Sequence, residues 1–213
     1  GARPYFLFFG RLSKEKGILT LVKAFLWATG LANGSADMRS SDQDVQVLPD
    51  AWDLHIVGDG PEREAIEQLI ASAGPQAESR IHLLGYKSGE DLQREVGNAR
   101  FSVLSPEWRE NMPYSGLESL AAQTPIIGAS IGGIPELVEE DKTGFTFESG
   151  NITDVRDGLL KAAAVGQSAY GVMQHQCAEY VAAHCRQQAY AKQLERKYFG
   201  LTKLRSKNQG EER

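Results

Sequence analysis

The stretch richest in usable chemistry runs from Ser105 to Leu137, SPEWRENMPYSGLESLAAQTPIIGASIGGIPEL. It follows an apolar run, FSVLS, and reads as the end of a buried strand, an acidic turn and a short helix. The helix is expected to open with Pro113 at its first position, where a missing N–H costs nothing, and to close before Thr124-Pro125. Its first residues, Tyr114, Ser115 and Gly116, would then offer unpaired amides at the positive end of a helix dipole, a ready seat for phosphate. Gly116 has no side chain to block a ligand. Two carboxylates bracket this seat: Glu110 in the preceding loop and Glu118 in the helix. Taken alone, the pair reads equally as a solvated loop acid and a surface helix residue, and Glu118 joins the free amides only if the helix start faces a crevice.

Bulk properties narrow the setting. A chain of 213 residues builds one sizeable domain, with a second cramped. With 41% hydrophobic and 24% charged residues it has ordinary globular composition, and no apolar run is long enough to span a bilayer. A net charge of −5 lacks the basic footprint of a nucleic-acid binder, so no nucleic-acid partner is expected. Cys177 and Cys185 fall in one helical stretch at a separation that discourages a disulfide. His175 and His184 lie near them without a familiar ligand spacing, so no metal site is expected. The opening YFLFFG is strand-like rather than leader-like, and the expected location is cytoplasmic. Lys192, Arg196, Lys197, Lys203, Arg205 and Lys207 make the C-terminal end basic. That excess suits a solvated helix and frayed tail, or contact with another domain or, peripherally, with the acidic inner membrane surface.

The elements that must position these groups alternate. Strands are predicted at Tyr5–Phe9, Asp53–Val57, Arg80–Leu84, Phe101–Leu104, Pro125–Gly128 and Phe145–Phe147. Helices are predicted at Ile18–Ala28, Glu62–Ala73, Asp91–Asn98, Thr153–Val165, Ala169–His184 and Gln187–Phe199, besides the one at Pro113. Residues 29–50, rich in Gly, Ser and Asp, read as a long surface loop, and residues 201–213 as a polar tail. Strand–helix alternation means a Rossmann-like α/β three-layer sandwich with a parallel sheet and right-handed crossovers. Ligands of such sheets lie at the carboxyl ends of the strands. The loops there are RLSKEKG, GDGP, GYKSGED, the acidic turn and IGGIPE, all rich in glycine or charge. Gly58 and Gly132, in two of them, would let backbone approach a ligand closely.

Five segments in register, FGRLSKEKG, IVGDGP, IHLLGY, the Glu110–Glu118 block and GGIPELVEEDKTGF, carry a family resemblance over Tyr5 to about Gly150. The chain resembles the C-terminal, donor-binding half of a retaining GT-B glycosyltransferase of family 4. The resemblance implies that Arg11 and Lys16, behind Gly10, grip the donor diphosphate and, with the amides of Tyr114 and Ser115, stabilise the leaving charge. Glu110 would face the transferred sugar, with Asn111 and Met112 beside it where many relatives carry Gly-Phe. Glu118 would bind the ribose hydroxyls, and Gly85, Tyr86 and Lys87 would line the base pocket. The arrangement implied is metal-independent, needs no cofactor, and takes a nucleotide-sugar as substrate, with UDP-glucose favoured. The acceptor would be a glycan or lipid-linked molecule, as in polysaccharide biosynthesis. It would be held by an N-terminal acceptor half that this stretch of sequence does not include.

Two other readings stay open at this point: a nucleotide-sugar-binding module without catalysis, and a sugar-nucleotide epimerase of GT-B shape. A dehydrogenase is rejected, because its G-x-G-x-x-G should follow the first strand, where this chain has GRLSKEKG. No D-x-D pair stands after a strand to hold a metal against a diphosphate.

Overall fold

A computed structural model describes residues 3–32 and 46–185. The predicted helix Gln187–Phe199, the 201–213 tail and the basic residues at 192–207 lie outside the described residues, as does most of the 29–50 loop. Among the described residues no helix is long and apolar enough to cross a membrane.

The chain runs β1 (Tyr5–Phe9), α1 (Ile18–Ala28), β2 (Asp53–Val57), α2 (Arg63–Ala73), α3 (Pro75–Glu78), β3 (Ile81–Gly85) and α4 (Gly89–Asn98). It continues through β4 (Phe101–Leu104), α5 (Tyr114–Ala121), β5 (Ile126–Ala129), α6 (Ile134–Leu137), β6 (Gly144–Phe147), α7 (Ile152–Ala163) and α8 (Gln167–His184). All strand pairings are parallel and the sheet order is β3-β2-β1-β4-β5-β6. The order reverses between β1 and β4, which is where a doubly wound sheet opens a crevice.

Every residue of β1 is buried, and its alternation shows why. Phe6 and Phe8 face a core shared with Val22 and Phe25 of α1 and with Leu159 of α7. Tyr5, Leu7 and Phe9 face the other side, against Val96 at the end of α4. A third cluster joins Leu104, Leu120, Ile126, Leu137 and Cys177, so that α5, α6 and α8 cover the β4–β5 flank. The sheet is thus covered on both faces, which explains strands that read as near-continuous apolar runs. Phe6 stacks on Trp52 with centroids 4.4 Å apart, closing the amino end of this core. Arg80 is buried there as well. Its Nε and one terminal nitrogen donate to the Trp52 carbonyl at 2.9 and 2.7 Å, and it also donates to the Pro49 carbonyl at 3.1 Å. A buried cation is tolerated when carbonyls replace its water.

Several boundaries differ from the sequence reading. Arg80 belongs to the turn rather than to the third strand, because its side chain is committed to those carbonyls. The second helix starts at Arg63 with Glu62 as its N-cap, ends at Ala73 as expected, and is followed past the Gly74 break by a separate single turn, α3. The IGGIPE segment contains another single turn, α6, with Pro135 in its first turn. The 29–50 segment also rejoins the core before its predicted end: Leu48 is buried, and its amide donates to the Ala28 carbonyl at 2.6 Å.

Face-on packing of α4 creates one polar network that matters below. Tyr5 hydroxyl donates to the Glu95 carbonyl at 2.8 Å. The Glu95 carboxylate takes Lys87 Nζ at 2.5 Å and lies 3.3 Å from His55 Nδ1. Burial opposes the charge on Glu95, yet the bonds from Lys87 and His55 prevail and hold its carboxyl below the usual range. Burial pushes the His55 imidazole down, and it pushes the Tyr5 phenol up with help from the Glu95 charge.

Candidate functional site

The helix at the centre of the site begins one residue later than expected. Pro113 is the N-cap of α5, with φ −70 and ψ 124, not its first helical residue. The Gly116 amide donates to the Pro113 carbonyl at 3.0 Å, so only Tyr114 and Ser115 remain as the free donors that begin every helix. Gly116 also faces inward: a Cβ there would meet Leu137 at 2.6 Å and Leu104 at 3.1 Å. Its missing side chain makes room for the core rather than for a ligand. That corrects the expectation drawn from sequence.

The first loop and the acidic turn are stitched together. Ser105 Oγ donates to the Lys16 carbonyl at 3.0 Å and the Glu107 amide to the Glu15 carbonyl at 3.0 Å. Thr20 Oγ1 donates to Glu107 Oε1 at 2.5 Å. Gly17, at φ 62, permits this approach, because a Cβ would stand 1.9 Å from the Ser105 carbonyl oxygen. The stitching brings Lys16 Nζ onto Glu110 Oε1 in a partly buried ion pair. These two residues, distant in sequence, thus face one hollow with Ser115 and Pro113.

Glycines of the GGIP segment hold Glu110 from the other side. A Cβ on Gly132 would lie 2.1 Å from the Glu110 carbonyl oxygen, and one on Gly133 would lie 1.6 Å from that of Asn111. The Gly133 amide donates to the Glu110 carbonyl at 2.8 Å. Gly132 therefore yields space to protein backbone, where the sequence suggested a ligand. Gly58 does both: its nearest neighbour is the Gly10 carbonyl, and it borders a cavity.

That cavity, of about 540 Å³, opens at the carboxyl ends of β1, β2 and β3. Six of the residues singled out from sequence line it: Gly10, Arg11, Gly58, Tyr86, Lys87 and Glu118. Gly85 supports its wall, accepting from the Gly58 amide at 2.8 Å where the β2–β3 register shifts. Arg11 and Glu118 are exposed, and neither forms an ion pair or side-chain hydrogen bond with the described residues. Lys87 behaves differently, since its ammonium is engaged by Glu95. Tyr86 projects its ring into solvent at the rim, 79% exposed.

Not everything gathers there. Asn111, Met112 and Tyr114 line neither this cavity nor the Lys16–Glu110 hollow, and all three are exposed. Sequence reasoning also missed Ser105, Glu107 and Thr20, which set the spacing between the two loops. A serine and an acid just after a buried strand were the available signal.

A doubly wound parallel sheet with a glycine-lined cleft beside its switch point defines a Rossmann-like domain with a carboxyl-end ligand site. Residues 1–182 match the family model described as glycosyl transferases group 1, and the chain belongs to that family. It is 28% identical over 182 residues to a 2-deoxystreptamine N-acetyl-D-glucosaminyltransferase of Niallia circulans, covering 84% of this chain and 42% of the relative. It is 26% identical over 161 residues to an alpha-D-kanosaminyltransferase of Streptomyces kanamyceticus, covering 74% and 36%. The chain thus spans less than half the length of these relatives. Among solved structures, HepE of Anabaena in complex with UDP superposes with a TM-score of 0.72 at 17% identity, covering 93% of this chain and 49% of that one. At that identity the likeness is one of fold: this domain matches half of a GT-B structure.

Proposed function

We propose that this domain is the donor-binding half of a retaining, family 4 GT-B glycosyltransferase that uses a UDP-sugar, with UDP-glucose favoured. The observation that carries the reading is the single cavity that gathers Gly10, Arg11, Gly58, Tyr86, Lys87 and Glu118 beside the Lys16–Glu110 pair. Family membership supports a sugar-transferring role, and so do the relatives, whose names specify a kanosaminyltransferase and an N-acetyl-D-glucosaminyltransferase. HepE has been solved with UDP-glucose as well as with UDP.

In this reading the diphosphate lies between Arg11, Lys16 and the amides of Tyr114 and Ser115. When the bond from sugar C1 to phosphate breaks, its electron pair moves to the β-phosphate oxygen. Fixed positive groups in a partly dry site hold that charge without solvent having to rearrange. The acceptor oxygen forms the new bond at C1 on the face the diphosphate leaves, and configuration is retained. Glu110 orients the sugar hydroxyls rather than attacking C1. Its pairing with Lys16 suits that role, because one cation can then connect the sugar side to the phosphate side. Glu118 takes the ribose hydroxyls. Tyr86 and the backbone around Gly85 border the base, and that loop carries no acidic side chain before Glu90 to accept from the exocyclic amine of guanine. Asn111 and Met112, being exposed on the turn, contact the transferred sugar once the acceptor half closes over it. The acceptor is a glycan or lipid-linked molecule, and no metal is required.

Calorimetric competition among UDP-glucose, UDP-N-acetylglucosamine and GDP-mannose, with and without EDTA, tests this. UDP-glucose should bind tightest and chelation should leave its affinity unchanged. Tightest binding by GDP-mannose would replace the donor assignment, and a large loss with EDTA would contradict metal independence.

A further inference from the structure

On the amino-terminal half of β2 and β3 three ligand-type side chains converge that the nucleotide reading does not use. Asp53 and His55 are two apart on β2 and so leave the same face of the sheet, and His82 of β3 stands in register with His55. One carboxylate oxygen and one nitrogen from each ring lie within 4.8 Å of one another. His82 Nε2 is 3.6 Å from Asp53 Oδ2, while Arg3 holds the other oxygen, Oδ1, at 3.3 Å. The arginine therefore leaves the oxygen that faces the histidine available. The two imidazoles meet edge-to-face with centroids 5.1 Å apart.

Behind His55 stands Glu95, its Oε2 3.3 Å from Nδ1. A carboxylate in that position accepts a hydrogen bond from Nδ1–H and leaves the lone pair on Nε2, the arrangement usual behind metal-bound histidines. A cavity of about 680 Å³ lined by Arg3, Tyr5, His55 and Glu95 brings solvent to the His55 side of the cluster, and His82 is itself partly exposed.

We propose that Asp53, His55 and His82 form a binding site for one zinc-class divalent cation, completed by water. Two imidazoles and one carboxylate are a set that zinc accepts, whereas Mg²⁺ and Ca²⁺ want oxygen donors. Donors around a tetrahedral zinc lie roughly 3.3 Å apart, given metal–nitrogen bonds of about 2.0–2.1 Å. Closing from 4.8 Å falls mainly to His82, whose side chain, 36% exposed, is the least confined of the three. The ion would clamp β3, the edge strand, onto β2, at the end of the sheet away from the nucleotide cleft. Its role is to stabilise the sheet rather than to take part in transfer, and the inference stands whether or not the donor reading holds.

The test is thermal unfolding and calorimetric titration of the metal-stripped chain with zinc chloride and, separately, magnesium chloride. One zinc per chain should bind and raise Tm by about 5–10 °C at a hundredfold excess over its dissociation constant, with no response to magnesium. His82→Ala and Asp53→Asn, checked for folding by circular dichroism, should lose that shift, and Arg3→Ala should tighten binding by removing the nearest positive charge. Cys185 is a competing ligand. Cobalt(II) separates the two, since this site would give visible bands without a near-ultraviolet thiolate band. No zinc-dependent shift, a shift that survives in His82→Ala, or a thiolate band would each overturn the proposal.

Discussion

The two ends of the β2–β3 pair carry opposite kinds of polar chemistry. At the carboxyl ends, glycines set the walls and the exposed charges of Arg11 and Glu118 form no ion pairs with the described residues. Toward the amino ends, Arg3, Asp53, His82, His55, Glu95 and Lys87 form a chain of contacts, each group engaged by the next. The contrast teaches which polar groups a fold keeps for itself. Groups satisfied internally already contribute to stability, whereas an unpaired cation beside a cleft contributes little until an anion arrives. Lys87 spans both regimes, lining the cleft while committed to Glu95, and so serves as wall more than as free charge.

The sharpest way to break the carboxyl end is through its backbone. Gly132→Ala places a Cβ 2.1 Å from the Glu110 carbonyl oxygen at φ 60. Overpacking and a left-handed backbone together should cost about 3–5 kcal/mol, read by urea unfolding. A loss below 1 kcal/mol would mean that the Glu110 turn moves freely. The same change at Gly85, where a Cβ meets nothing within 4 Å, keeps only the backbone strain and should cost about 1 kcal/mol.

Breaking the other end should cost less and depend on pH. Glu95→Ala removes the partner of both Lys87 and His55 and should lower stability by about 1–3 kcal/mol at neutral pH. The folded carboxyl lies below its ordinary value of 4.5, so its contribution is full above that pH. It fades as the pH falls through the folded value. The gap between wild type and Glu95→Gln, measured by thermal unfolding, should therefore narrow in acid. A gap that widened on acidification would reverse the sign of the network. At the small end of the scale, Lys142→Ala deletes an exposed pair with Glu139 and should change stability by less than about 0.5 kcal/mol in the same assay.

How much of this was legible in the sequence follows the same division. The six strands were readable because short, mainly apolar runs alternate with helical stretches and turn residues, and Tyr5–Phe9 and Asp53–Val57 fall where the sequence puts them. Gly10, Arg11, Gly58, Tyr86 and Lys87 were findable because each lies in a loop after a strand, a place the topology fixes in advance, whereas Glu118, in the second turn of α5, was found through the family's spaced glutamate pair. The single turns Pro75–Glu78 and Ile134–Leu137 escaped, being too short to show a period. The orientation of Gly116 and Gly132 escaped too, because a glycine does not say whether ligand or protein fills the space it leaves. The Asp53–His55–His82 group was invisible for a different reason: strand register assembles it from residues that no spacing rule connects.

The central claim is that Arg11 in the carboxyl-end cavity and Lys16 in the hollow with Glu110 together hold the diphosphate of a sugar nucleotide. The most direct measurement is calorimetry of UDP and of uridine against wild type, Arg11→Ala and Lys16→Ala. Each substitution should weaken UDP by about 1.5–3 kcal/mol, the worth of a charge-assisted hydrogen bond, and leave uridine nearly unchanged. Equal losses for UDP and uridine, or no loss for either, would contradict the placement of the diphosphate.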